Sequence, residues 1–261
     1  FLKSNNLNKG SMSLVNNEEF DKIISKFSKY KIKSGGSAAN TAVGYSSFGG
    51  NSLFFGSVAK DNFGLSFKKD LNDLGIHFLS CENNFLNQNT SKSLVLISPD
   101  GERTMCTFLD ASVSLSLKNF DQSILKNNSI LYLEGYLFDK DETKQSMIDL
   151  CKIAQKKGSL ISLSLSDSFC VERHRKDFLS LIKNYVDILF GNSQEIEALL
   201  NGQEQEKISS IVEIAVVTNG SKGANIFKAN DSIFIPPIDG LNVLDTTGAG
   251  DLFAAGFLFG F

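Results

Sequence analysis

Between residues 17 and 30 the apolar side chains Phe20, Ile23, Ile24 and Phe27 recur at the i, i+3, i+4, i+7 spacing, which lines them along one face of an amphipathic helix. A short strand over 11–15 precedes it. After a Ser34-Gly35-Gly36-Ser37 turn, the small residues of 38–48 predict a helix that can approach its neighbours closely. Residues 53–58 read as a buried strand. Asp61 then serves as N-cap to a helix that carries Phe63, Phe67, Leu71 and Leu74 on one face and stops at Gly75, followed by a strand over 76–79. Residues 93–97 and 103–108 flank Ser98-Pro99-Asp100-Gly101-Glu102, a Pro- and Gly-marked turn, and so predict a β-hairpin, either in a main sheet or in a lid.

From residue 130 the pattern becomes regular. Strands over 130–133, 160–165, 186–190 and 214–218 alternate with helices over 140–157, 171–184 and 193–200; strands over 224–228 and 232–235 and a helix from about Gly248 follow. Such alternation predicts parallel βαβ units with right-handed crossovers, hence an α/β fold. No internal repeat, low-complexity linker or domain boundary stands out, and 261 residues suit one large domain. The chain opens on Phe1 rather than methionine and stops inside the apolar run 252–261, so the expectation is a chain cut at both ends.

Composition narrows the function. A net charge of −3 provides no positive field for nucleic acid or anionic lipid, and no stretch approaches the roughly 20 apolar residues of a membrane span. Neither partner is expected. Cys81, Cys106, Cys151 and Cys170 form no C-x-x-C pair and have only His77 and His174 to help them, which argues against zinc and for reduced, buried thiols in a cytoplasmic setting.

The sharpest chemistry lies in Asp245-Thr246-Thr247-Gly248-Ala249-Gly250-Asp251, directly ahead of an apolar helix. Gly-Ala-Gly lets the backbone turn several N–H groups toward one spot, and a helix starting there adds the positive end of its dipole. An anion is favoured at such a place. Asp251 in the first turn is poised to take a proton from an attacking hydroxyl while the amides of Gly248, Ala249 and Gly250 stabilise a phosphoryl group. Taken alone, the segment also reads as a shaped loop followed by a favourable first-turn acid, since such turns are common. Phe253 stands where the third glycine of G-x-G-x-x-G belongs, and there is no G-x-x-x-x-G-K-[ST], so neither a Rossmann dinucleotide site nor a P-loop fits.

This segment resembles the C-terminal signature D-T-x-G-A-G-D of the ribokinase-like, or PfkB, carbohydrate and nucleoside kinases. Gly35-Gly36-Ser37-Ala38-Ala39-Asn40-Thr41-Ala42 resembles their N-terminal G-G-x-x-x-N-x-A element, in the right order and near the opposite end of the chain. Asn192-Ser193-Gln194-Glu195 is similar to the N-x-x-E element with which these kinases organise Mg²⁺ through water; on its own it is also an N-cap with a first-turn acid. Val216-Val217-Thr218-Asn219-Gly220-Ser221-Lys222-Gly223 is similar to the V-T-x-G-x-x-G segment beside the nucleotide, or else an ordinary strand-end turn.

The resemblance implies a three-layer fold with a mostly parallel central sheet flanked by helices and a small β lid from N-terminal segments, in a single domain over 1–261. It implies ATP and Mg²⁺ as cofactors, with Asn192 and Glu195 toward the metal and Thr218, Gly220 and Gly223 toward the nucleotide. Gly35, Gly36 and Asn40 would meet the acceptor. Gly101-Glu102-Arg103-Thr104 resembles the G-E-R-T hairpin of the adenosine-kinase-like branch, which turns Arg103 to the active site; a solvated hairpin charge is the other reading. Gly10-Ser11-Met12-Ser13-Leu14-Val15, Leu133-Glu134-Gly135-Tyr136-Leu137 and the stretch 162–169 look like the bacterial adenosine-kinase-like proteins. Adenosine is therefore the expected acceptor, with a ribokinase- or fructokinase-like sugar kinase as the alternative and a non-catalytic nucleotide-binding relative as the reading of another class. A monomer or homodimer is expected. Family members also carry a substrate-binding strand before the position of Phe1 and helices after that of Gly260.

Overall fold

The computed structural model describes residues 1–261 apart from 82–87, 101, 119, 230, 241–242 and 244. The chain divides into two compact units, one of Phe1–Gly35 with Leu53–Ser114 and one of Gly36–Ser52 with Leu115–Phe261.

In the first unit, strand β1 (Met12–Leu14) lies parallel to β5 (Arg103–Phe108), which pairs antiparallel with β4 (Lys92–Ile97), giving a three-stranded sheet. The predicted hairpin thus belongs to its own small sheet; Gly101, in its turn, lies outside the described residues. Helix α1 (Asn17–Ile24) begins with a capping box in which the Asn16 side chain accepts from Glu19 N–H and the Glu19 carboxylate accepts from Asn16 N–H. It ends six residues short of the predicted end at residue 30, where Lys26 and Phe27 bond back only three residues and Phe27 packs edge-on against Phe1. The remaining elements are β2 (Leu53–Gly56), α3 (Asn62–Asp73) and β3 (His77–Ser80), with β2 and β3 parallel and the rings of Phe54, Phe67 and Phe78 clustered between strand and helix. Asp61 caps α3 as expected, accepting from Gly64 N–H at 2.8 Å.

The second unit is built on a six-stranded sheet. Strands β6 (Ile130–Glu134), β7 (Leu160–Ser164), β8 (Ile188–Asn192) and β9 (Ile214–Thr218) run parallel in that order, and β10 (Ala224–Lys228) and β11 (Asp231–Ile235) extend it antiparallel. Crossovers of one hand onto successive neighbours put α4 (Asp141–Lys156), α5 (Ser168–Tyr185) and α6 (Ser193–Leu200) on one face. Leu163, Leu189, Ala215 and Val217 point to that face. Their alternates Ile188, Phe190, Ile214 and Val216 point to the other and meet Ala254 and Leu258 of α7 (Ala249–Gly260) and Tyr45 of α2 (Ser37–Ser47). Both sheet faces are covered, which is why the parallel strands are apolar almost throughout. The result is three layers, helices on both sides of a mostly parallel sheet.

Two element boundaries moved for identifiable reasons. Helix α5 starts three residues earlier than its apolar pattern because the Asp167 carboxylate accepts from Phe169 and Cys170 N–H, and β8 starts two residues later because Val186 N–H still completes the helix by bonding Ile182 O. All four cysteines are buried and outside any disulfide. Among the described residues no helix is long and apolar enough to cross a membrane.

Candidate active site

The C-terminal ends of the parallel strands collect polar groups that the apolar strand interiors exclude. Glu134 closes β6 opposite Ser164 of β7, and Asn192 closes β8 opposite Thr218 of β9. In open α/β sheets this edge is where ligands bind.

Helix α7 begins at Gly248, whose φ of +74° is a left-handed conformation open to glycine without strain. Asp251 follows in the first turn, where a carboxylate is favoured by the helix dipole. Its two oxygens are both held from α2: Ser37 Oγ donates to Oδ1 at 2.9 Å and Asn40 Nδ2 donates to Oδ2 at 2.8 Å. A Cβ built on Gly248 would stand 3.5 Å from Asn40 Nδ2 and 3.6 Å from Asp251 Oδ2, so turn, amide and carboxylate form one cluster. A Cβ on Gly250 would meet nothing within 4 Å, so the space beside its Cα is open. Ala249 N–H is engaged by Thr246 O at 3.1 Å, whereas no described residue accepts from Gly248 or Gly250 N–H.

The start of α2 is tied a second time. Gly36, with a φ of +110°, precedes the helix, and Ala38 N–H donates to Glu134 Oε2 at 2.8 Å, so a strand-end carboxylate satisfies one of the helix's orphan amides. Burial pushes the Glu134 carboxyl above its usual range; the Ala38 N–H opposes this and the nearby Asp251 charge adds to it. Some Glu134 surface remains accessible, but enclosure by protein dominates. Tyr132, two residues earlier on the same strand face, is pushed up to about 12 by burial against hydrogen bonds with Thr41 and Ser164.

Asn192 and Glu195 form a closed capping box on α6. Asn192 Oδ1 accepts from Glu195 N–H at 2.9 Å, and the Glu195 carboxylate accepts from Asn192 N–H at 2.9 Å and from Asn192 Nδ2 at 2.7 Å. Burial lifts the Glu195 carboxyl to about 7 against the Asn192 N–H bond, with the Asp167 charge adding to the rise. A divalent cation alongside would relieve that penalty, and one carboxylate with one amide matches an ion that keeps most of its water, so these residues fit Mg²⁺ held through water.

Thr218, half-buried, ends β9, and Gly220 and Gly223 shape the turn into β10, closed by Asn219 N–H to Gly223 O at 2.8 Å. At Gly223, φ is +92° and a Cβ would fall 2.3 Å from Ile235 O, so only glycine fits. Arg103 opens β5 opposite Ile97, and Gly35 closes the first segment of that same unit. The structure thus gathers Gly36, Asn40, Gly248, Gly250 and Asp251 into one cluster and aligns Asn192 with Thr218 on the strand edge.

The family model for pfkB family carbohydrate kinases matches residues 9–261. The chain belongs to the pfkB family. Adenosine kinase from Sinorhizobium meliloti is 36% identical, with a TM-score of 0.91 over all of this chain and 81% of that one. A probable sugar kinase protein from Rhizobium etli is 37% identical, with a TM-score of 0.93 over all of this chain and 80% of that one. Probable fructokinase-7 of Arabidopsis thaliana is 29% identical over 88% of this chain and 70% of its own length. The three-layer fold is that of the ribokinase-like adenosine kinases, and membership of the pfkB family makes the protein a phosphotransferase with an alcohol group as acceptor.

Two members of the cluster escaped sequence reasoning. Ser37 stands inside the N-terminal signature at a position its pattern leaves open, and Glu134 lies within a stretch whose resemblance is to the segment as a whole. A signal existed for Glu134, a lone acid ending the apolar strand Ile-Leu-Tyr-Leu; for Ser37 there was none beyond its place at a helix start.

Proposed function

We propose that this pfkB kinase transfers the γ-phosphoryl group of ATP to the hydroxymethyl group of a nucleoside, adenosine to AMP. Asp251 accepts the proton of the attacking hydroxyl as oxygen bonds to the γ-phosphorus and the bond to the β,γ-bridging oxygen of ATP breaks, leaving ADP. Gly248 and Gly250 N–H, with the dipole of α7 behind them, stabilise the charge on the phosphoryl group, and Ala249 N–H keeps the turn in shape. Thr218, Gly220 and Gly223 bring backbone close to the nucleotide. Gly36 and Asn40 receive the acceptor, and the family resemblance gives Gly35 and Arg103 an acceptor role as well. Asn192 and Glu195 would hold Mg²⁺ through water, and that ion supplies neutralisation of phosphate charge.

The observation that carries this reading is the Asp251 carboxylate, fixed on both oxygens in the first turn of a helix that opens at the left-handed Gly248. Adenosine is favoured over a sugar by the three stretches that look like bacterial adenosine kinases and by the Sinorhizobium relative of that name. The Rhizobium sugar kinase and the plant fructokinase support phosphorylation of a free sugar as the second reading. The test is a panel of adenosine, ribose and fructose with ATP and Mg²⁺, run on the complete protein and on Asp251→Asn. Adenosine should be turned over fastest, and Asp251→Asn should bind ATP but lose at least a hundredfold in rate, within the range typical of a general base. Near-normal turnover by Asp251→Asn would overturn the assignment of the base; faster turnover of ribose or fructose would overturn the choice of acceptor.

A further inference from the structure

We propose that Ser37 is a positioning residue for Asp251, and that α2 serves this reaction by clamping the base as well as by meeting the acceptor. The inference rests on reading Asp251 as the base. A carboxylate on a single Cβ can rotate about two bonds, and one hydrogen bond leaves its plane free to swing. Two donors on different oxygens remove that freedom, and both come from the first turn of α2: Ser37 Oγ to Oδ1 at 2.9 Å and Asn40 Nδ2 to Oδ2 at 2.8 Å.

The clamp is itself anchored. Thr41 Oγ1 donates to Ser37 O at 3.1 Å, Ala38 N–H is held by Glu134 of β6, and Asn40 N–H donates to Gly36 O at 2.8 Å, so the residues on either side of Ser37 are tied to the sheet edge and to the helix. Ser37 is also half-buried, where its hydroxyl has less competition from water than on an open surface. Each ionised oxygen has about two acceptor directions, so one donor apiece still leaves a direction for the incoming alcohol. The serine therefore supports the base without displacing the acceptor, and its effect should fall on the chemical step.

The experiment measures kcat, KM for adenosine, KM for ATP and Tm for Ser37→Ala, Ser37→Thr and Asp251→Asn in the complete protein. Ser37→Ala should lower kcat about tenfold while both KM values and Tm stay near those of the parent. Ser37→Thr, which keeps a hydroxyl on the same carbon, should recover most of the rate. If Asp251→Asn is inactive but Ser37→Ala turns over at the parental rate, the clamp is refuted while the base stands. A fall in Tm with kcat intact would mark Ser37 as structural only and refute it too. If Asp251→Asn is itself active, the reading of the base fails first and the clamp with it.

Discussion

Replacing Gly44 with alanine should slow the enzyme without touching any residue of the site. Gly44 lies four residues after Asn40 on α2, and Ala255 lies four residues after Asp251 on α7, so their contact sits one helical turn below the Asn40–Asp251 hydrogen bond. A Cβ at position 44 would stand 2.8 Å from Ala255 Cβ and 2.8 Å from Leu252 Cδ2. Leu252 is half exposed and can rotate away. Ala255 is buried and its Cβ is fixed to the backbone, so the helices must part by about 0.7–1.2 Å to reach normal carbon separations of ~3.5–4.0 Å. Overpacking of this kind costs about 1–3 kcal/mol, and the better helix propensity of alanine returns about 1 kcal/mol, for a net loss of about 0–2 kcal/mol. In a protein of this size that lowers Tm by up to roughly 8 °C. The larger effect is on rate: parting the helices strains the 2.8 Å bond that orients Asp251, and misplacement by about 1 Å costs on the order of a hundredfold. Steady-state kcat with saturating ATP and acceptor, together with a thermal melt, reads both effects. The control is Gly256→Ala, on the facing helix α7, whose Cβ would meet only the Phe48 ring at 3.8 and 4.0 Å; it gains the same propensity without a clash and should match or slightly exceed the parent Tm with normal kcat. A Gly44→Ala enzyme with parental kcat and Tm, or a Gly256→Ala enzyme that fails equally, would refute the argument from close packing.

Three further outcomes follow from single contacts. Glu195→Gln keeps the capping geometry but removes the carboxylate, so the Mg²⁺ concentration needed for half-maximal rate should rise; an unchanged metal titration would remove Glu195 from that role. For Asp61, burial pushes the carboxyl up, but hydrogen bonds from Thr90 Oγ1, Thr90 N–H and Gly64 N–H, with Lys92 nearby, outweigh it and leave the group below its usual value of 3.8. A lowered carboxyl stabilises the fold above the unfolded value and loses that contribution as pH falls through the folded one. Asp61→Asn should thus cost about 1 kcal/mol in urea unfolding at pH 7 and show a smaller difference from the parent below pH 3.8, and a gap that widens with acid would contradict this. Gly223→Ala forces a side chain to φ +92° and against Ile235 O at 2.3 Å, so it should destabilise by about 2 kcal/mol or more, seen as a lower urea midpoint; a neutral result would mean the β9–β10 turn can refold around it.

Asp251 and the Gly248 turn, the base and phosphate site proposed above, have neighbours that sequence spacing does not reveal. Glu134 and Asp251 are two acids fastened to one helix start, one through the Ala38 amide and the other through the Ser37 and Asn40 side chains. Any change that tilts α2 moves the base and its surroundings together. The first turn of α2 therefore has a mechanical part in the site as well as the ligand-binding part the family resemblance implies for it.

Most of the elements were legible along the chain because their causes are local. The 3.6 and 2-residue periods of apolar positions, the Asp61 and Asn192 caps and the glycines at 75 and 158 act within a turn or two of backbone, so α6, β9 and β10 fell where the pattern put them. The turn at Gly248 and the place of Asp251 in the first turn of α7 were legible for the same reason, since a helix start is written in consecutive residues. Tertiary structure alone decided what depends on distant partners. Phe27, past the end of α1, packs against the distant Phe1, and the small β4–β5 sheet belongs to a different unit from the parallel one. The grip of Ser37 on Asp251 spans 214 residues and that of Ala38 on Glu134 spans 96. Such bonds exist only after the sheet has set the spacing of the helices upon it, and no periodicity in the chain carries that distance.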